Sequence, residues 1–178
     1  MRVMGLDLST KAGVSIVDTA EPRHVLFAGT VTFPKLTAFP RVNAIAGQIL
    51  ALHETYKPAF TVIEDYAVSK FGGSAITSIE IGTVVRFLFW QEGYEFLDIS
   101  PSTLKKFVTG KGNAPKDMMA MHVLKKFGHE AKSDDEADAV ALGMLGLLCA
   151  GRVSYNALDK EVMKSCYEQN PDFTAPGK

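Results

Sequence analysis

Three short apolar runs open the chain: RVMGLDL at residues 2–8, GVSIVD at 13–18 and HVLFAGTVTF at 24–33. Their β-branched and aromatic content predicts strands. The links between them are short, with Gly13 in the first and Glu21-Pro22 in the second, which favours an antiparallel meander. The period then changes. From Pro40 to Tyr56 the apolar positions Val42, Ile45, Ala46, Ile49 and Leu50 recur at helical spacing. AFTVIEDY after Pro58 is a further strand that ends in acids, and Gly72-Gly73 mark a loop. A long helical pattern covers 74–91, a brief strand 94–97, and helices follow from Pro101, over 115–127 and over 134–150. Past Gly151 the pattern dissolves, and QNPDFTAPGK reads as a frayed tail. This order predicts an α/β protein: a mixed sheet of three antiparallel strands and then two parallel ones, flanked by helices.

Composition narrows the picture. The chain's 178 residues suit one ordinary domain, and with 47% hydrophobic and 22% charged residues it is globular. A formal charge of −1 excludes coating nucleic acid by bulk charge but allows a local basic patch. Cys149 and Cys166 form no Cys/His cluster, so neither a disulfide framework nor a zinc module is expected, and a reducing compartment fits. Ala137–Ala150, the most apolar stretch, contains Asp138 and falls short of the ~20 residues a bilayer span needs. Asp7 and Lys11 break any signal-peptide core behind Arg2. The expected location is the cytoplasm.

Certain carboxylates stand where carboxylates are costly. Asp7 ends the run Val3, Met4, Leu6, and Glu64 ends Val62-Ile63. Aspartate is disfavoured in strands, and an unpartnered buried carboxylate is expensive. A third cluster, SDDEADAVALGM, begins at a Ser133/Glu136 capping box, and its first acids suit the positive end of a helix dipole. The dipole does not explain Asp138, which lies a turn further in. Asp135 and Asp138 share a helix face, as do Asp134 and Asp138, so spacing leaves that choice open. Three or four hard oxygen donors without clustered His or Cys point to Mg²⁺ or Mn²⁺. Two such ions are the standard device for phosphodiester hydrolysis.

Positive charge is concentrated too. Residues 104–132 carry lysines 105, 106, 111, 116, 125, 126 and 132 against Asp117 and Glu130, a local net of +5. Lys111 and Lys116 sit in the glycine-containing VTGKGNAPK before a helix, a setting suited to phosphate; Lys105 and Lys106 precede them. Tyr66 and Phe71, with Lys70 between them, follow the second acid and are candidates for stacking on splayed bases. His122 and His129 read as surface histidines, and Trp90 as packed at a helix end.

Four segments together, GLDLST-x-x-GVSIVD, VIEDY, ISPSTLKKFVTGKGNAPKDMM and DDEADAVALGM, resemble RuvC-type Holliday junction resolvases over residues 3 to about 148. The resemblance implies an RNase H-like five-stranded domain over 1–150 with a partly flexible extension over 151–178. It implies a homodimer that nicks opposed strands of a four-way junction, with two Mg²⁺ or Mn²⁺ ions held by four carboxylates and no small-molecule cofactor. The site residues it implies are Asp7, Glu64, Asp135 and Asp138, which selects Asp135 over Asp134. Its DNA-contacting lysines match Lys111 and Lys116. Two features depart from the family: Leu8-Ser9-Thr10 replaces a glycine turn, and Ala67 stands where an aromatic is expected. A divergent, phage-encoded member fits these departures. The alternatives are a YqgF-like RNA-processing nuclease, an ATPase of the actin and sugar-kinase type, or a module that binds branched DNA without cutting it. A single domain of this size argues against the ATPase, and four intact acids beside phosphates argue against the pure binder.

Overall fold

A computed structural model describes residues 1–20, 24–66, 73–115 and 117–175. The strands are β1 (Arg2–Asp7), β2 (Lys11–Asp18), β3 (Val25–Thr32), β4 (Phe60–Glu64) and β5 (Phe96–Ile99). The helices are α1 (Ala38–Tyr56), α2 (Gly73–Glu92), α3 (Pro101–Thr109), α4 (Met118–Phe127), α5 (Asp134–Cys149) and α6 (Asp159–Gln169). One sheet runs β3-β2-β1-β4-β5. β1, β2 and β3 are antiparallel, and β4 lies parallel to both β1 and β5. The expected α/β architecture is therefore present.

Alternation along the strands divides the core between two faces. Met4, Leu6 and Ile63 pack with Ile45, Ile49, Ile81 and Phe89 of α1 and α2. Val3, Phe60, Val62, Leu97 and Ile99 face the other way, onto α5 and the helices around it. α5 is buried on all sides from Glu136 to Cys149, which is why its sequence is apolar almost throughout. Cys149 and Cys166 are buried and unbridged, as expected. No helix among the described residues is long and apolar enough to cross a membrane.

Two expectations need correction. The stretch past Gly151, where the pattern dissolves, contains α6, and in the segment read as a frayed tail Phe173 and Ala175 are buried, with the Phe173 ring 5.1 Å from that of Phe60. Asn170 closes the edge of the sheet. Its side-chain amide donates to the Asp98 carbonyl and accepts from the Asp98 N–H, both at 2.8 Å, and so covers part of an otherwise open strand. Trp90 is not packed at a helix end; it is 73% exposed.

His53 on α1 is 4% exposed, stacked 3.9 Å from the Tyr94 ring and tilted against Phe89. Its Nε2 has no hydrogen-bond partner. Burial pushes its pKa down from 6.5 to about 4. The unfolded chain therefore takes up this proton at a higher pH than the folded one. The stability His53 contributes is complete above pH 6.5 and is lost as pH falls towards 4. Urea melts at pH 7.5 and pH 5 are expected to differ by about 2 kcal/mol from this group. His53→Leu should remove that part of the difference.

Candidate nuclease site

The sheet determines where the first two acids stand. Asp7 and Glu64 are the last residues of β1 and β4, and the parallel register pairs Leu6 with Ile63, one step before them. Both therefore reach the same end of neighbouring strands. By alternation both lie on the face that carries Val3, Val62 and α5, and both are half-buried.

α5 brings the other two. Ser133 caps it, its Oγ accepting from the Glu136 N–H at 3.2 Å, as the sequence predicts. The helix then descends directly over β1 and β2. Asp7 is paired with Gly13 across the strands, and a Cβ at Gly13 would meet the Asp135 carbonyl oxygen at 1.9 Å. A Cβ at Gly5 would meet the Ala139 carbonyl oxygen at 2.1 Å. Two glycines thus bare the sheet where the helix backbone rests. Ser15 Oγ donates to the Ala139 carbonyl at 2.7 Å and fixes the seat. Asp135 lies over the Asp7–Gly13 pair, Asp138 is buried one turn on, and Asp134 is exposed. Of the two candidates, Asp135 is the one whose backbone rests on that pair.

Asp7, Glu64, Asp135 and Asp138 thus belong to three elements, β1, β4 and α5, that pack together here. Their side chains do not close up, however: among the described residues no three His, Cys, Asp or Glu groups form a metal-ligating cluster. Lys11, the first residue of β2, places Nζ 3.6 Å from Asp135 Oδ2. The sequence reading missed Lys11 at the site, because its place emerges only when β2 folds back beside β1. His129 is also more than a surface histidine: its Nε2 lies 3.0 Å from Oε1 of the buried Glu136.

The basic segment is less uniform than its sequence suggests. Lys111 is exposed in the loop after α3, and Lys105 is half-buried on α3. Lys106 pairs with Glu161 of α6 at 2.7 Å. Lys126 is turned inward, its Nζ 3.9 Å from the Phe107 ring centroid and 5.1 Å from that of Tyr155, donating to the Phe107 carbonyl. Burial lowers its pKa, with Asp159 opposing the shift. Tyr66 is docked on α2: its hydroxyl lies 3.2 Å from Thr83 Oγ1 and its ring 4.6 Å from the Arg86 guanidinium. Lys70, Phe71 and Lys116 lie outside the described residues.

With that geometry fixed, comparison with known proteins is decisive. The sequence profile of the family described as crossover junction endodeoxyribonuclease RuvC matches residues 3–145. The chain belongs to the RuvC family. RuvC of Gloeobacter violaceus is 32% identical over 152 residues, covering 82% of this chain and 87% of that protein. RuvC of Carboxydothermus hydrogenoformans is 28% identical over 155 residues, covering 85% and 98%. Among solved structures, Thermus thermophilus RuvC in complex with a Holliday junction substrate superposes with a TM-score of 0.69 at 22% identity, covering 81% of this chain and 91% of that one. The yeast mitochondrial Holliday junction resolvase gives 0.55 at 14% identity, covering 94% and 83%. At these identities the structural likenesses speak for the fold, which is the expected RNase H-like one.

In this RuvC-family chain, Gly13→Ala is expected to push α5 off its seat. Overpacking against backbone costs about 1–3 kcal/mol, so the melting temperature should fall and junction cleavage should fall with it. Thermal melts and a cleavage assay of the same preparation check both.

Proposed function

We propose that Asp7, Glu64, Asp135 and Asp138 together hold two divalent cations, Mg²⁺ or Mn²⁺, and that the chain cuts four-way DNA junctions with them as a homodimer. The chain is a crossover junction endodeoxyribonuclease of the RuvC family. The observation that supports the site assignment is the strand register together with the bare glycine seat, which bring the backbones of β1, β4 and α5 together at one sheet end. Carboxylate oxygens are hard donors that suit Mg²⁺ or Mn²⁺, so the donor set fits the ions. The fit lies in this chemistry and in the backbone placement.

When bound, the cations supply Lewis acidity at the attacking water and at the leaving 3′-oxygen of the phosphodiester. The chain's own residues do the rest. β1 and β4 fix Asp7 and Glu64 on rigid strands, and the seat of α5 sets the height of Asp135 and Asp138 above them. Lys111 and Lys105, with Lys116, hold the phosphate backbone without reading sequence. Lys70 and Phe71 are assigned to the junction on side-chain chemistry alone, a cation and a ring suited to splayed bases. Residues 1–150 make up the nuclease domain and 151–178 its extension. The reaction belongs in the cytosol of a bacterium or of a phage-infected host.

The dimer surface is α2. Ile76, Ile79, Phe87 and Trp90 are exposed on it, with Thr83 between, at the three- and four-residue steps of a helix-packing seam. Phe39 of α1 extends the strip beside Ile76 and Ile79. A second copy of this chain is the occupant that gives two opposed cuts two active sites.

On a labelled four-way junction with Mg²⁺, Asp7→Asn and Glu64→Gln should each lower cleavage at least ~100-fold while leaving junction binding in chelator intact. Cleavage of structured RNA with an untouched junction would point to an RNA-processing nuclease instead. Lys111→Ala should weaken junction binding and reduce the salt slope by about 1. Trp90→Glu should convert the dimer to a monomer in light scattering; a variant that elutes as the wild type would move the interface elsewhere.

A further inference from the structure

We propose that Arg86 is a positioning residue of the nuclease site, holding the Glu64 end of β4 from the far side of the sheet; this rests on the assignment of Glu64 above. Arg86 belongs to α2, which covers the face opposite α5, and its side chain is only 14% exposed. Its Nη2 donates to the main-chain carbonyl of Glu64 at 3.2 Å. Nε and Nη2 both donate to Oδ1 of Asp98, at 2.8 and 2.6 Å, and Nη1 donates to the Gly82 carbonyl at 3.2 Å. The flat of the guanidinium covers the Tyr66 ring at 4.6 Å.

These contacts meet at one place, the point where β4 leaves the sheet. Beyond Glu64, the Asp65 N–H still bonds the Ile99 carbonyl at 2.8 Å, and Tyr66 is held on α2. Arg86 takes the Glu64 carbonyl, the other end of that same peptide unit. A peptide at a strand end held by its N–H alone can still tilt about that bond, and the tilt shifts the side chain attached to it; held at both ends, it cannot. The guanidinium suits this role because its planar fork addresses three acceptors and a ring face at once, which an ammonium cannot. It acts on the main chain from behind the sheet and so brings no cation in among the acids.

Arg86 is itself aligned. Asp98 receives two of its N–H groups, and Asn170 bonds both main-chain groups of Asp98. The end of α6 thus bears on β5, β5 on α2, and α2 on the candidate acid of β4.

The test compares Arg86→Gln, Arg86→Lys and Asp98→Asn with the wild type. It reads four quantities: single-turnover junction cleavage in Mg²⁺, calorimetric Mn²⁺ affinity of DNA-free protein, junction binding in chelator, and the thermal melt. Arg86→Gln is expected to lower both cleavage and Mn²⁺ affinity by roughly 10- to 100-fold, the scale of lost support behind a metal ligand. Junction binding in chelator should stay within about twofold. Arg86→Lys should not restore the loss, and Asp98→Asn should show a smaller one in the same direction. Wild-type Mn²⁺ affinity in a folded Arg86→Gln protein overturns the proposal, as does an equal loss of chelator binding, which would make the role purely structural. If Arg86→Gln does not fold, Asp98→Asn decides: unchanged Mn²⁺ affinity overturns the proposal. A Glu64→Gln protein that binds Mn²⁺ and cleaves like the wild type would instead remove the Glu64 assignment, whatever Arg86 does.

Discussion

The proposed site depends on α5 lying on backbone rather than on side chains. At Gly13 and Gly5 the helix carbonyls of Asp135 and Ala139 occupy the space a Cβ would need. Any larger residue there would lift the helix and carry Asp135 and Asp138 away from Asp7 and Glu64. The same closeness explains why α5 is apolar around its whole circumference below the first turn: the sheet is on one side and the remaining helices are on the others. Acids are tolerated only at the end where the helix emerges. There the positive end of its dipole and the capping Ser133 favour negative charge. Placement of the proposed ligands and packing of the core are one arrangement at this end of the molecule.

Cations are distributed with comparable economy. Of the lysines between 104 and 132, Lys126 is enclosed by Phe107, Phe127 and Tyr155, and Lys106 ties α3 to α6 through Glu161. These two hold the C-terminal helices to the domain. Lys111, Lys125 and Lys132 face outward and Lys105 is half-buried, so the surface available to phosphates is smaller than the charge count implies. Arg86 makes the same point on the opposite face, where a cation serves geometry rather than a ligand.

Much of this was legible in the sequence because the acids interrupt patterns that otherwise have a single explanation. A carboxylate at the end of an apolar strand has no packing reason to be there, and Asp7 and Glu64 were found on that signal. Five strands and five of the six helices followed from period and turn residues. α6 did not, because only Asp159, Val162 and Cys166 are buried along it. Its hold comes instead from single polar contacts: Asn170 on Asp98, Gln169 on the Ser100 N–H, and the Tyr167 hydroxyl on the Cys149 carbonyl. Such contacts have no periodicity. Arg86 escaped for a related reason: in the sequence it is one charge in an apolar helix, and its partners lie on β4 and β5. Spacing alone does not separate Asp134 from Asp135, since both share a face with Asp138; the family resemblance favours Asp135, whose carbonyl rests over Gly13 while Asp134 is exposed.

Lys11 raises the question whether its pairing with Asp135 is compatible with a cation site. The pair is long, at 3.6 Å, and Lys11 is 53% exposed, so its strength is that of a surface ion pair, at most about 1 kcal/mol. A divalent ion carries twice the charge and binds several carboxylates at contact distance, where half-buried surroundings screen each attraction less than open water does. An ion held by the proposed carboxylates would therefore outcompete Lys11 for Asp135, and the flexible lysine stem would swing aside. A monocation so placed offsets the charge of Asp135 without locking it. A bidentate arginine in the same position would have done the opposite, and in this fold the arginine stands behind the sheet.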